Sequence, residues 1–123
     1  MDIIANNRII ADFMGGKPSH PIAQNDDYWL PIHGIVNCKT IELGKGKIMK
    51  YHKSWDWLMP VVEKINVMDD FNYTVEIMYH YTAITGNRMG CGVIVDCDGD
   101  TMFDGLYRAI VKFIKWYNKK SSE

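Results

Sequence analysis

Long apolar runs are missing from this sequence. No stretch approaches the roughly 20 residues a membrane-spanning helix needs, so no transmembrane segment is expected. Cysteine is scarce, at three residues, Cys38, Cys91 and Cys97. An odd number without a secretory leader reads as reduced thiols rather than a disulfide framework. The opening Met1-Asp2-Ile3-Ile4-Ala5-Asn6-Asn7-Arg8 has no basic stretch followed by an apolar one. A signal peptide is therefore not expected, and the cytoplasm is the expected compartment. Neither charge dominates: 14 basic residues face 15 acidic ones, for a net charge of −1. This balance gives no electrostatic pull toward nucleic acid or an anionic membrane, and both are disfavoured as partners. The basic residues cluster only at Lys112, Lys115, Lys119 and Lys120. No internal repeat or low-complexity segment is evident.

What is present fits one globular domain over residues 1–123, with 47% apolar and 24% charged residues, near the average for folded domains. Ile3, Ile4, Ile10, Phe13 and Met14 recur at helical spacing, and Gly15-Gly16 with Pro18 stop the helix. The span Gly16 to Gly34 has no period. Tyr28-Trp29-Leu30 suits an edge strand, because Pro31 argues against a central one. Ile35 to Tyr51 reads as a hairpin turning at Gly44-Lys45-Gly46-Lys47. Ser54 to Ile65 reads as a second helix, with Ser54 or Asp56 as cap and Pro60 as a disturbance. Phe71 to Thr82 alternates as one strand, with Tyr73, Val75, Ile77, Tyr79 and Tyr81 on one face. After a turn at Gly86 to Gly90, Gly92 to Asp96 reads as a short strand, antiparallel to the first and central. From Thr101 onward, Phe103, Leu106, Tyr107, Ile110, Phe113, Ile114 and Tyr117 form the apolar stripe of a third helix. Asp104, Arg108, Lys112, Lys115 and Lys119 form its solvated stripe.

Three blocks of this chain resemble a known family. They are Ile9-Ile10-Ala11-Asp12-Phe13-Met14-Gly15, the segment His52-Lys53-Ser54-Trp55-Asp56-Trp57-Leu58-Met59-Pro60-Val61-Val62-Glu63-Lys64-Ile65, and Val111-Lys112-Phe113-Ile114-Lys115-Trp116-Tyr117-Asn118. Together they resemble the phage ABA sandwich domain family of small phage and prophage proteins. The resemblance implies a sheet with helices on both faces and an accessory protein encoded by a phage or prophage. No functional residue carries over from it. It does not reach Asn25 to Tyr51, and residues around 16–51 read as an elaboration.

Few residues point to chemistry. Trp55 and Trp57 are two apart and cannot share a helix face. They suit anchoring of the helix on the sheet, or a stacking platform with His52 and Asp56 as polar partners. On the helical wheel Trp55 lies with Leu58, Met59 and Val62, which predicts Trp55 inward and Trp57 on a flank with Val61 and Lys64. The span His20 to His33 holds Tyr28, Trp29, Leu30 and Ile32, a composition that either covers the core or recognises something. The binding candidates are therefore Trp57, His52, Asp56, Tyr28, Trp29 and His33.

Asp96-Cys97-Asp98-Gly99-Asp100 looks like the start of a calcium loop, but Thr101 and Tyr107 stand where glycine and glutamate are needed. It reads as a strand-to-helix turn. Cys91 and Cys97 have no zinc-knuckle spacing, and His20, His33, His52 and His80 are scattered, so no metal is expected. There is no Gly-x-Ser-x-Gly elbow and no phosphate-loop frame around Gly44 to Lys47. The carboxylate pairs Asp26–Asp27 and Asp69–Asp70 fall where solvated loops are expected. No cofactor and no catalytic residue follow from these observations.

The expected fold is α/β, a three-layer sandwich with a small, mainly antiparallel sheet flanked by about three helices. The expected function is binding to an unknown protein or small ligand in the host cytoplasm, with homo-oligomerisation left open. The alternative is a protein that sequesters, or acts on, a small nucleotide-like ligand through aromatic and histidine residues.

Overall fold

The computed structural model describes residues 2–19, 27–42, 47–88 and 92–121. Among them the chain forms three helices and two small antiparallel sheets, an α/β protein as the sequence patterns require. The strands sort into two three-stranded sheets, where a single sheet was expected. The chain divides into two compact units, Met1–His52 and Lys53–Glu123.

In the first unit, α1 spans Ile3–Phe13. The Asp2 carboxylate caps it by accepting the Ala5 N–H (3.0 Å). Its far end is a Schellman turn. Gly15, at φ +89°, donates to the Asp12 carbonyl (3.1 Å), and Gly16 donates to the Ala11 carbonyl (2.8 Å). The Gly-Gly stop therefore works as the sequence indicates. The buried side of α1 is Asn6, Asn7, Ile10 and Ala11, whereas Ile3, Ile4, Phe13 and Met14 are half-buried. The Asn7 amide is paired with His52 (2.9 Å), which lets this polar side chain lie inside.

Three strands follow: β1 (Lys17–Pro18), β2 (Asp27–Leu30) and β3 (Gly34–Asn37), in the order β1-β2-β3. Segment 28–30 is thus central, not an edge. Pro31 lies one residue past the last paired position, so its missing N–H removes no ladder bond. The expected hairpin over 35–51 is also corrected. Strand β3 pairs with β2, and its link to the later segment is the Asn37 N–H donating to the Lys47 carbonyl (2.7 Å). Gly44 to Gly46 lie outside the described residues.

In the second unit, α2 spans Trp55–Phe71, longer than expected. Ser54 sits at the cap position, where its carbonyl accepts from the Trp57 and Leu58 N–H groups. Helical geometry ends at Met68 (ψ 158°), and Asp69, Asp70 and Phe71 then take left-handed φ values of 51°, 58° and 61°. The next strands are β4 (Tyr73–Met78), β5 (Tyr81–Gly86) and β6 (Val93–Asp98), in the order β4-β5-β6. The single strand expected over Phe71 to Thr82 is folded back on itself. Met78 pairs with Tyr81, so Tyr79 and His80 are the hairpin turn. This inserts β5 between the two expected strands and moves β6 from the centre to an edge.

Helix α3 spans Met102–Ser121. Thr101 Oγ1 accepts the Asp104 N–H (3.0 Å), and the Asp104 carboxylate accepts the Asp100 N–H (3.2 Å). Leu106, Tyr107, Ile110, Phe113 and Ile114 are buried, as their spacing predicts. The Phe113 ring meets Tyr73 edge-on at 5.0 Å. At the turn before α3, a Cβ on Gly99 would lie 2.2 Å from the Gly105 nitrogen, so only glycine fits. Both outer strands have a side chain against their open backbone. The Asn66 side chain accepts the Val75 N–H of β4 (2.9 Å), and Lys112 Nζ donates to the Asp96 carbonyl of β6 (3.2 Å).

Candidate functional site

The register of the first sheet lines up three side chains. Lys17 of β1 pairs with Trp29 of β2, and Trp29 pairs with Ile35 of β3. Directly opposed residues in antiparallel strands share a face, so these three form a row across the sheet. All three are exposed, Trp29 at 39%. The Lys17 ammonium lies 5.5 Å from the centroid of the Trp29 ring. Lys17, Pro18, Ser19, Trp29 and Ile35 line a shallow depression of about 330 Å³.

Strand alternation puts Tyr28, Leu30 and Val36 on the opposite, buried face. Tyr28 is tied down there. Its hydroxyl donates to the Asp12 carboxylate, and the Arg8 guanidinium lies 5.5 Å from its ring centroid. Burial, then the bond and charge of Asp12, push the Tyr28 hydroxyl above its ordinary value. Tyr28 therefore joins β2 to α1, and Trp29 is the residue of the pair that faces outward.

His33 follows in the turn after β2. Its ring stands edge-on to Tyr51 with centroids 6.5 Å apart, and its carbonyl accepts from Lys47 Nζ. Burial and the nearby Lys47 charge hold the His33 ring below the usual histidine range. Burial alone pushes Tyr51 up to about 12. His52, the last residue of this unit, is held by Asn7.

The tryptophan block belongs to the second unit, and its orientation reverses the helical-wheel expectation. Trp57 is 7% exposed and Trp55 is 42% exposed. The inward face of α2 is Trp57, Leu58, Val61, Val62 and Ile65, and Trp55 and Met59 lie to its side. Trp55 sets its edge on the Phe103 ring at 5.0 Å. Asp56 is exposed in the first turn. Of the two rings offered for a stacking platform, Trp57 lies inside and Trp55 is the one at the surface.

Other expected positions resolve more simply. Cys38 is buried and Cys97 half-buried, both as free thiols, while Cys91, His20 and Asp26 lie outside the described residues. The Asp96–Asp100 stretch is the end of β6 and the turn into α3. Among the described residues no group of three or more His, Cys, Asp and Glu side chains is placed to hold a metal ion. Nor is any described helix long and apolar enough to cross a membrane. Lys17 and Ile35 were not singled out from sequence, because their place beside Trp29 depends on strand pairing. The one available signal was the alternation of Tyr28 and Trp29, which guarantees that one of the two rings faces out.

Compared with known protein families, curated proteins and solved structures, the chain finds no match.

Proposed function

We propose that this chain works by binding rather than by catalysis, as a phage-type accessory protein acting in the host cytoplasm. The open face of the β1-β2-β3 sheet is its contact surface. The observation that carries this reading is the row Lys17–Trp29–Ile35. An indole, a branched aliphatic and an ammonium lie side by side on a paired backbone. Tryptophan is among the side chains that dominate binding energy at protein interfaces. The sheet also fixes their positions before contact, which lowers the ordering cost of binding. The resemblance of three sequence blocks to the phage ABA sandwich family supports the accessory role.

A second reading is supported by the depression beside this row. Its volume of about 330 Å³ falls at the small end of the range for small-molecule sites. Trp29 would supply a stacking surface and Lys17 a charge for a nucleotide-like ligand.

One experiment separates the two. A photo-cross-linking residue is placed at Ile35 and activated in the host cytoplasm, and the unlabelled protein is examined by native mass spectrometry. A cross-linked polypeptide that disappears with Trp29→Ala supports the protein-binding reading. A co-purifying small molecule lost in the same variant supports the second. A clean mass with no Trp29-dependent cross-link overturns both.

A further inference from the structure

In the second unit the register of β4, β5 and β6 sorts charge. The Tyr73 ring meets Phe113 of α3 (5.0 Å), so residue 73 and every second residue after it in β4 face the helices. Opposed residues in antiparallel strands share a face, which puts the rows Glu76–Ala83–Asp96 and Met78–Tyr81–Asp98 on the other, open face. Glu76, Asp96 and Asp98 are exposed there, as are Met78 at 45% and, in the row beyond Ala83, Val93 at 58%. None of the three strands contains a lysine, arginine or histidine. The Tyr81 hydroxyl donates to the Asp96 carboxylate (2.9 Å). This bond, burial and the charges of Asp96, Asp98 and Glu76 push it above its ordinary value.

The outer side of α3 has the opposite sign. Between Gly105 and Ser121 this helix holds no aspartate or glutamate, and Arg108, Lys112, Lys115, Lys119 and Lys120 are exposed. Leu106, Ile110, Phe113 and Ile114 are turned into the core, so the cationic side faces away from the sheet. The row from Arg108 to Lys119 is about 17 Å long, and six-residue strands are about 20 Å long. The two charged surfaces therefore lie on opposite sides of one unit and match in length.

Neighbouring charges do not cancel either surface. At the open face, Lys112 Nζ sits on the Asp96 carbonyl at the edge of β6 (3.2 Å), one ammonium beside three carboxylates. His80 stands in the hairpin turn at the end of that face. Around α3, Asp100 and Asp104 lie at its start, where Asp104 takes up Arg108 (3.0 Å). On α2, Asp56 and Glu63 are set against Lys53 and Lys64. Asp69 and Asp70 are set against Arg88 and Lys120, and the Asp69 carboxylate is further held by the Tyr73 and Tyr117 hydroxyls. Lys115 and Lys119 still leave the outer side of α3 with an excess of cations.

We propose that copies of this chain associate head to tail, with the outer side of α3 in one copy laid on the open β4-β5-β6 face of the next. A foreign partner would match one of these surfaces, whereas a second copy supplies the complement of each. Lys115 and Lys119 meet Glu76 and Asp98, and their aliphatic stems cover Met78 and Val93. A two-fold dimer through either surface would set like charges together, so the contact is heterologous. It gives the sheet a helix layer on both faces, a three-layer stack completed between copies. An open face of about 20 Å by 14 Å makes a contact of about 600 Å² in total, so association is weak and depends on concentration. This contact is separate from the Trp29 row and does not rest on the role assigned to that row.

The test is sedimentation equilibrium of the full chain in low salt, up to millimolar protein. The average mass should rise above the monomer with concentration. It should return to the monomer in molar salt, where the screening length shrinks to about 3 Å. The double variants Lys115→Glu/Lys119→Glu and Glu76→Lys/Asp98→Lys should each associate at least tenfold more weakly than the parent, with unchanged thermal melts. An equimolar mixture of the two should associate again, because each brings a surface that the other matches. Where a reversal lowers the melt, Lys115→Gln and Glu76→Gln replace it, each weakening association several-fold. The proposal is overturned if the parent stays monomeric throughout or if either variant associates as well as the parent. A mixture of the two reversed variants that stays monomeric overturns it too.

Discussion

Replacing each tryptophan of the Trp55-Asp56-Trp57 block by alanine gives two variants that differ only in which side of α2 loses its ring. Trp57 is 7% exposed, so Trp57→Ala strips an almost fully buried indole and leaves a void. Changes of this kind cost about 3–5 kcal/mol. Alanine recovers only a few tenths of a kcal/mol through its better helix propensity. Trp55 keeps 42% of its surface in solvent and makes an edge-on ring contact with Phe103 at 5.0 Å. Such a contact is worth about 0.5–1.5 kcal/mol beyond area, so Trp55→Ala should cost on the order of 1 kcal/mol. Urea unfolding followed by far-UV circular dichroism reads the difference as a shift in midpoint at constant slope. With total stabilities of about 5–15 kcal/mol, Trp57→Ala leaves a marginal protein and Trp55→Ala an ordinary one. An equal or larger loss in Trp55→Ala would refute the assigned phase of α2.

Three further outcomes are expected. Gly99→Ala forces a methyl to within 2.2 Å of the Gly105 nitrogen, so the turn into α3 must shift. The loss should be at least about 1–3 kcal/mol, read as a lowered melting temperature. Asp70→Gly relieves a left-handed residue at φ 58°, and the relief of roughly 1–2 kcal/mol exceeds the entropy cost of glycine. This variant should melt a few degrees higher, and a lower melt would mean that Asp70 contributes something its backbone does not show. His33 is held below its ordinary value by burial and by Lys47, so the unfolded chain takes up the proton first as pH falls. The stability this contributes is full above about pH 6.5 and is lost as pH drops below that value toward the folded one. His33→Gln should therefore flatten the melting profile between pH 7.5 and 5.5, and an unchanged slope would remove His33 as its source.

The features legible in the sequence were those set by local chemistry. The α3 stripe from Phe103 to Tyr117, the Thr101 cap and the Gly15-Gly16 stop each depend on neighbours within one or two turns. The Tyr79–His80 hairpin was not legible, because neither residue is one that tight turns favour, and the alternation from Tyr73 ran through it unbroken. The α2 phase failed at its start. The wheel put Trp55 and Met59 inward and Trp57 and Val61 on the flank, while burial takes Trp57 and Val61 in and leaves Trp55 and Met59 exposed. The burial of Asn7 was not legible either, because the partner that satisfies its amide, His52, is distant in sequence. Of the site, Trp29 was visible as an aromatic in an irregular span. Lys17 and Ile35 reach it only through strand register, which nothing local encodes.

Asn66 and Lys112 have a consequence for how this protein meets other chains. Val75 and Asp96 stand near the middle of the two outer strands of the second sheet, and each has its outward backbone group occupied by a side chain. An incoming strand zips on by finding an uninterrupted ladder, and here it would have to evict an amide or an ammonium halfway along. Lys47 interrupts the free side of β3 in the same way, taking the Asn37 N–H with its carbonyl and the His33 carbonyl with its amine. Such blocks discourage runaway polymerisation through strand swapping or fibril growth when the protein is concentrated. At these three strands partners are left with side chains to read instead of backbone, and side chains can be selective where a bare strand cannot.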